Sequence, residues 1–212
     1  MDLSIFCDSQ NHPILDVIEC WISSINSNVK LITDEKRLTG GKYLLLVSCS
    51  QVIKLDVRLG YQYTLVIHAS DLPQGRGWSP HIWQILDGKN EITLSLLAAV
   101  DKVDTGDIWH QIPISLSRTD LYDDINKKIL GAHIDMIKWL IKHNGRVKPY
   151  KQLGDASYYP KRSPKDSEID TESSIASQFN LLRVCDPERY PAFFYHENEK
   201  FIIKIERATS NA

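Results

Sequence analysis

Residues 64–77 read TLVIHASDLPQGRG, an apolar run that reaches a histidine and then opens into a loop rich in proline and glycine. Such a run is typical of a buried strand, and in open α/β sheets ligands collect beyond the carboxyl ends of the strands. His68 stands at that point, where an imidazole can act as an acid or a base near neutral pH. The alternative interpretation is a surface or capped histidine without a chemical role.

The rest of the chain repeats this alternation of apolar runs with turns and helices. Apolar runs predict six strands, at residues 3–7, 29–33, 43–48, 64–69, 92–100 and 108–116. Apolar residues at steps of three and four after Pro13 predict a helix between the first two strands. Pro113 favours an edge position or a bulge for the last strand. The order and lengths of these elements indicate an open α/β sheet with parallel pairing.

The second half of the chain is predicted to begin with a long amphipathic helix. Its apolar face consists of Leu121, Ile125, Ile129, Ala132, Met136 and Leu140. Ser117 or Thr119 is suited to cap this helix, and Asp120 would then lie in its first turn. Gly145 fits the carboxyl-terminal end of the helix.

The carboxyl-terminal quarter is polar before it becomes apolar again. Residues 148–170 are rich in Lys, Ser, Tyr and Pro, which indicates an ordered surface arm, with a flexible linker as the alternative. Asp170 is suited to cap a last helix. The apolar face of that helix would consist of Ile175, Phe179 and Leu182. Residues 193–195 and 201–205, separated by a turn, predict a closing hairpin.

The composition limits the classes of function. The 212 residues suit one α/β domain, and 25 Lys and Arg against 27 Asp and Glu give a net charge of −2. That balance argues against nucleic-acid binding driven by net charge. No apolar run reaches the roughly 18 residues of a membrane span, and the amino terminus has no basic signal region, so we expect a cytoplasmic protein without a membrane partner. The four cysteines form no C-x-x-C pair and are expected to be reduced core residues.

Several familiar site motifs are absent from the sequence. It contains no G-x-x-x-x-G-K-[ST] loop and no G-x-G-x-x-G motif to hold nucleotide phosphates, and no G-x-S-x-G nucleophile elbow. It contains no H-E-x-x-H motif and no Cys/His cluster, so no metal site is expected.

Asp104 is the second candidate for chemistry. It lies in the polar turn at 101–107, between two predicted strands and beside Gly106. A carboxylate near an imidazole orients the ring and favours its protonated form, so Asp104 could act with His68. The alternative is ordinary turn chemistry, because Asp is common in such turns.

Three blocks of this sequence together resemble the folate-dependent formyltransferases. Residues 66–77, VIHASDLPQGRG, resemble the family signature N-x-H-x-S-L-L-P-x-x-R-G, and residues 103–108, VDTGDI, resemble its later D-x-G turn. Residues 158–170, YYPKRSPKDSEID, resemble the arm that follows the catalytic core, with NLLR at 180–183 and YPAF at 190–193 beyond it. The resemblance covers most of residues 43–205.

The resemblance implies a fold and a reaction. The fold would be a single formyltransferase domain over 1–212, with a mostly parallel, twisted, Rossmann-type core at 1–146 and a short arm, helix and hairpin at 147–212. The reaction would transfer a formyl group from N10-formyltetrahydrofolate to an amine. His68 and Asp104 match two members of the family's catalytic trio, and Val66 stands where the family has asparagine.

The resemblance also implies contact residues. Those expected to line the folate site are Leu46, Val47, Ser48 and Val103. Those expected to bind the acceptor are Arg76, Trp78, Tyr158, Lys161 and Arg162. Aromatic rings would stack and cations would pair with phosphate, although Lys161 and Arg162 could instead form a solvated face.

The expected acceptor follows from the same resemblance. The chain is most similar to short sugar N-formyltransferases, which act on nucleotide-linked 4-amino-4,6-dideoxy sugars of bacterial surface glycans. The variant of pseudaminic acid-type pathways, with a substrate such as UDP-4-amino-4,6-dideoxy-AltNAc, fits best. The transfer-RNA enzyme is expected to need a further carboxyl-terminal domain. Alternatives are a formylation domain of a peptide synthetase and a non-catalytic folate- or sugar-binding relic. A homodimer is left open.

Overall fold

The computed structural model describes residues 2–26 and 28–208. In chain order the elements are β1 (Leu3–Phe6), α1 (Ile14–Ser23), β2 (Val29–Ile32), β3 (Gly41–Leu46), α2 (Leu55–Leu59), β4 (Tyr61–His68), β5 (Arg76–Gly77), α3 (Pro80–Leu86), β6 (Glu91–Ala98), β7 (Ile108–Ser115), α4 (Tyr122–His143), β8 (Tyr158–Tyr159), α5 (Phe179–Val184), β9 (Ala192–His196) and β10 (Glu199–Ile203).

A six-stranded sheet in the order β2-β1-β3-β4-β6-β7 forms the centre of the fold. The three pairings among β2, β1, β3 and β4 are parallel, and β6 and β7 continue the sheet in antiparallel fashion. The prediction of an open, mostly parallel α/β sheet with flanking helices is confirmed. The expected edge position of the strand that contains Pro113 is also confirmed, because β7 is the last strand of the sheet.

The two sides of the sheet differ in what covers them. On one side, called here the helix face, apolar residues of the strands pack against α1, α3 and α4 in one large buried cluster. On the opposite side, the loop face, loops and the short helix α2 cover two smaller buried clusters. Side chains alternate along a strand, so in β4 Leu65 and Ile67 belong to the helix face. Val66 and His68 therefore lie on the loop face.

Helix α4 begins later than predicted. Its amino-terminal cap is Leu121, whose backbone N–H donates to the Asp124 carboxylate at 3.2 Å. Neither Ser117 nor Thr119 caps the helix, and Asp120 precedes it, where its carboxylate accepts from the Ser117 backbone N–H at 2.7 Å. The sequence offered several adjacent capping side chains, and Asp120 is used to order the turn before the helix. The expected end is confirmed, since Asn144 and Gly145 adopt positive φ angles directly after His143.

The carboxyl-terminal segment is ordered against the rest of the fold. The hairpin β9–β10 confirms the prediction, whereas the last helix is shorter than expected and covers only α5. The Gln178 side chain bonds to the backbone N–H and C=O of Asp170, which closes residues 170–178 into turns. Ile175 is consequently 72% exposed and contributes nothing to a helical apolar face.

Two further points concern expectations from composition. In the part of the chain that the structure describes, no helix is long and apolar enough to cross a membrane. The expectation that all four cysteines are core residues is wrong for Cys20, which is exposed on α1; Cys7 and Cys185 are buried.

Candidate active site

His68 ends β4 on the loop face and is only 8% exposed. Its Nε2 lies 2.8 Å from the carbonyl oxygen of Gly75, and its Nδ1 lies 3.6 Å from Oδ1 of Asp104. Both oxygens can only accept, so the hydrogen of the neutral ring can lie on Nε2, toward Gly75, or on Nδ1, toward Asp104. When the ring is positively charged, both nitrogens have an oxygen to donate to. The sequence therefore located this histidine correctly at a strand end, in contact with a carboxylate.

Asp104 reaches His68 from the turn between β6 and β7. Its backbone has a φ of +57°, a left-handed conformation that Asp tolerates better than most residues. Oδ2 of its carboxylate accepts a hydrogen bond from the backbone N–H of Gly77 at 2.9 Å, which leaves Oδ1 directed toward His68. The Asp104 side chain is 6% exposed. The Asp104 carboxylate is thus buried and has two defined partners, whereas an Asp that only forms a turn needs neither burial nor a distant partner.

Two glycines allow the loops that carry these contacts to approach their neighbours. A Cβ on Gly106 would lie 1.8 Å from the carbonyl oxygen of Ala98, and one on Gly77, at φ +97°, would lie 2.4 Å from that of Tyr159. Any side chain at either position would displace backbone. The Asp104 turn and the loop after His68 therefore both depend on glycine.

The carboxyl-terminal arm binds the loop that follows His68. Strand β8 pairs in parallel with β5, and Ser157 accepts from the backbone of both Gly75 and Arg76, through Oγ at 2.8 Å and through its carbonyl oxygen at 2.9 Å. The sequence did not predict this two-stranded pairing, because each strand is only two residues long. The resemblance of residues 158–170 to the family arm was the available signal.

Gln152 is a site residue that the sequence analysis missed. Its side-chain amide donates to the carbonyl oxygens of Asp104 and Gly106, both at 2.9 Å, and its Oε1 accepts from Nη2 of Arg76 at 2.6 Å. It lies in the polar stretch after α4, where no spacing or composition distinguishes one glutamine from a solvated residue.

Four of the five residues expected to bind the acceptor lie at the surface beside the loop that follows His68. They are Arg76, Trp78, Tyr158 and Lys161. Nη1 of Arg76 donates to the Tyr158 hydroxyl at 3.1 Å, and this hydrogen bond lowers the pKa of Tyr158. Lys161 places its Nζ 4.7 Å from the ring centroid of Trp78. Tyr158 and Trp78 are 58% and 39% exposed, so both rings are accessible to a ligand.

Arg162 is separated from that surface by its own contacts. Its Nη2 donates to the carbonyl oxygen of Asp166 at 2.7 Å, and its guanidinium lies over the ring of Trp83. The expected Lys161–Arg162 pair is therefore divided: Lys161 lies beside an exposed aromatic ring, and Arg162 holds the 162–167 turn.

The residues expected to line a folate site are divided between the two faces of the sheet. Leu46 belongs to a loop-face cluster against which Val66 packs. The side chain of Val47 is fully buried in the helix-face core, so the expectation that it lines the site is corrected, and only its backbone is available. Ser48 is half-buried with a φ of +52°, and Val103, 50% exposed, precedes Asp104 in its turn.

The described residues contain no group of three or more His, Cys, Asp or Glu side chains arranged to hold a metal ion. The region brings together an imidazole, a carboxylate and the backbone around them. This pair stands at the carboxyl end of a strand, inside residues 21–140, which match the description "Formyl transferase" of a known protein family.

The chain belongs to the formyl transferase family. It is 30% identical over 149 residues to the methionyl-tRNA formyltransferase of Thermodesulfovibrio yellowstonii, an alignment that covers 69% of this chain and 48% of that protein. This formyl transferase chain thus spans about half the length of that curated relative.

Solved structures share the fold of this formyl transferase. A methionyl-tRNA formyltransferase from Clostridium thermocellum superposes with a TM-score of 0.84 at 23% identity, over 100% of this chain and 96% of that one. A 4-N formyltransferase from Francisella tularensis superposes with a TM-score of 0.75 at 18% identity, over 98% of both chains. At these identities the likeness concerns the fold alone.

Proposed function

We propose that this chain transfers the formyl group of N10-formyltetrahydrofolate to the amine of a nucleotide-linked 4-amino-4,6-dideoxy sugar. The observation that carries formyl transfer is the buried contact of His68 with Asp104, inside the span that matches the formyl transferase family. Folate-dependent members of this family, which the sequence resembles, use that formyl donor.

Proton transfer is the chemistry that the chain itself contributes. An amine that gains a formyl group must lose a proton, and the nitrogen that gives up the formyl group must gain one. His68 moves that proton between the two nitrogens. For Nε2 to accept the amine proton, the hydrogen of the neutral ring lies on Nδ1, toward Asp104, and Nε2 exchanges its contact with Gly75 for one with the substrate. Asp104 keeps the ring in the orientation that this exchange requires.

The loop face beside His68 fits the ring of a folate. Leu46 and Val66 present apolar side chains there, and the buried hydroxyl of Ser70 has no hydrogen-bond partner within the described chain. When bound, the donor supplies the formyl carbon. Leu46 and Val66 would hold the flat ring, Ser48 and Val103 would border it, and the Ser70 hydroxyl could bond to a polar atom of the donor.

Because Val66 stands where the family has asparagine, another group has to donate the hydrogen bond to the formyl oxygen. Valine has no donor for the negative charge that develops on the formyl oxygen. The protonated His68 ring or a backbone N–H would supply that hydrogen bond.

The surface formed by Arg76, Trp78, Tyr158 and Lys161 supports a nucleotide-linked acceptor. Two exposed rings suit a nucleobase or sugar, and two cations suit a diphosphate. This surface adjoins the loop that contacts His68. Such an acceptor could place its nucleotide here and its amine at Nε2.

An aminoacyl-tRNA is the second candidate acceptor. It is favoured by the 30% identity to a methionyl-tRNA formyltransferase. The net charge of −2 argues against it, because tRNA binding usually rests on an excess of cations.

A mass-spectrometric screen tests this proposal. The protein is incubated with N10-formyltetrahydrofolate and either UDP- or dTDP-linked amino sugars or methionyl-tRNA, and the acceptor is examined for a formyl mass gain. Gain on an amino sugar is expected. Gain on methionyl-tRNA alone would overturn the acceptor, and folate binding by calorimetry without any transfer would indicate a non-catalytic relic.

The His68→Ala variant identifies the catalytic group in the same assay. We expect kcat to fall by about 100- to 10,000-fold with an unchanged fold, which is the usual loss when an acid–base group is removed. His196→Ala is the matched control, because His196 is exposed in the β9–β10 hairpin. Near-normal turnover by His68→Ala would contradict the assigned role.

A further inference from the structure

We propose that Gln152 is a positioning residue that holds Asp104 against His68; this inference rests on the proposed function of that pair. The role would belong to the carboxyl-terminal arm, outside the residues 21–140 that match the family. It would make the arm part of the apparatus of formyl transfer as well as of acceptor binding.

The Asp104 turn needs an external support. Asp104 has a left-handed φ of +57°, a conformation that few residues with a Cβ adopt. A carbonyl oxygen in such a turn loses its regular backbone partner. The Gln152 amide occupies two of these carbonyls, Asp104 O and Gly106 O, and so holds the turn on both sides of Thr105.

Gln152 joins that turn to the loop that contacts His68. Both amide hydrogens of Gln152 are used on the turn, and its oxygen accepts from Arg76. Arg76 lies between Gly75, whose carbonyl oxygen contacts Nε2 of His68, and Gly77, whose N–H donates to Asp104. One side chain thus connects the two loops that define the separation and orientation of the catalytic pair.

The connection is chemically specific to glutamine. Glutamate has the same length but no N–H, so it would present carboxylate oxygens to two carbonyl oxygens while keeping the bond from Arg76. Asparagine is one methylene shorter. A solvated glutamine would tolerate both changes.

Kinetics of Gln152→Glu and Gln152→Ala test the role. We expect kcat to fall about 10- to 100-fold, the scale of a misplaced catalytic group, while the KM for the formyl donor changes less than about threefold. Gln74→Ala is the matched control: the Gln74 amide also bonds to the arm, at the Asp155 carbonyl, without touching the Asp104 turn. That control should retain kcat within about threefold of the wild type.

A spectroscopic readout keeps the test independent of turnover. In the free protein, ¹⁵N signals of the His68 ring report on its contact with Asp104, and we expect them to shift in both Gln152 variants but not in Gln74→Ala. Thermal melting verifies that each variant is folded, and Gln152→Ala replaces Gln152→Glu if the latter is not.

Two results would overturn the inference. One is an unchanged kcat together with unchanged ring signals in a folded Gln152 variant. The other is an equal loss in Gln74→Ala, which would indicate a general role of the arm. Either result, combined with loss of turnover in His68→Ala, would leave the proposed formyl transfer intact. A wild-type protein without transfer would contradict the proposed function, and the ring signals would still decide whether Gln152 positions Asp104.

Discussion

The two faces of the central sheet perform different tasks. The helix face contains one large apolar cluster packed beneath α1, α3 and α4. The loop face contains two small clusters, and its cover is made of loops held by hydrogen bonds and close backbone contacts. His68 and Asp104 lie on the loop face. The helix face contains the larger apolar cluster and hence contributes most to stability, whereas the loop face holds a buried imidazole and a buried carboxylate between its loops.

Alternation along β4 produces this division. Leu65 and Ile67 point to the helix face, and Val66 and His68 point to the loop face. Substitutions of the polar pair on the loop face should therefore change rates with small effects on stability, and substitutions of buried apolar residues on either face should do the reverse.

After His68→Ala, Asp104→Asn should show the largest effect, and its change is confined to the loop face. Asparagine tolerates the left-handed backbone and can still accept from the Gly77 N–H, but it has no charge to offer His68. We expect kcat to fall about 100- to 1,000-fold, the range seen when an electrostatic contact to the reacting groups is removed. The KM for the formyl donor should stay nearly constant in steady-state kinetics.

Asp107→Asn is the control for that change. Asp107 lies in the same turn and forms an ion pair with Lys151 of the arm at 2.9 Å, without contacting His68. Its kcat should remain within about twofold of the wild type, since exposed ion pairs contribute little. If both variants turned over normally, Asp104 would be a turn residue only.

The pH dependence of stability tests the helix face. His133 of α4 is buried, and its burial lowers its pKa from 6.5 to about 4. Above pH 6.5 the ring is neutral in both the folded and the unfolded protein. Below pH 6.5 the unfolded chain binds a proton on His133, and the folded protein does not until the pH approaches 4. Stability should therefore fall between pH 6.5 and 4, by roughly 3 kcal/mol from this residue alone.

His133→Leu should reduce that loss. Urea unfolding at pH 7 and pH 4.5 measures it, and the difference between the two free energies of unfolding should be smaller in the variant. An identical difference would show that His133 is protonated in the folded protein.

Val66→Ala tests whether the residue beside His68 takes part in chemistry. Val66 packs against both loop-face clusters, so truncation should cost on the order of 1 kcal/mol of stability. We expect kcat, measured well below the melting temperature, to change by less than about 10-fold. A drop of 100-fold or more in a folded variant would mean that position 66 orients the reacting groups, as the family's asparagine does.

Gly131→Ala should show the smallest effect, and in the opposite direction. Gly131 lies within α4, and a Cβ there would have no heavy atom within 4 Å. Alanine should raise the free energy of unfolding by about 0.5–1 kcal/mol, because glycine is the poorer helix former. Calorimetry measures the gain, and kcat should not change. A loss of stability would indicate that α4 is strained at this position.

The sequence predicts what depends on local patterns. Apolar periodicity located the strands of the sheet and α1, and Pro113 marked the edge strand. Periodicity failed for the segment before α5, because the Gln178 side chain closes residues 170–178 into turns in place of a helix. The sequence pattern also did not identify the residue that caps α4, because several adjacent residues are suited to that position.

The site was predictable to the extent that its residues carry a motif. His68 was recognisable at a strand end, and Asp104 through its D-x-G turn. Gln152 and Ser157 lie 46 to 82 residues from their partners in these loops, and their roles exist only after the arm has folded back. Val47 shows the converse error, because a position adjacent to the site in sequence can belong to the opposite face of the sheet.

The two outer strands of the sheet have a consequence for self-association. At one edge, β7 includes Pro113, which has no N–H to offer another strand, and at the other edge β2 is only four residues long with an exposed lysine, Lys30. Prolines, short strands and exposed lysines are the devices by which natural sheets avoid pairing edge to edge with other molecules. Both borders of this sheet therefore carry features that disfavour the addition of a foreign strand.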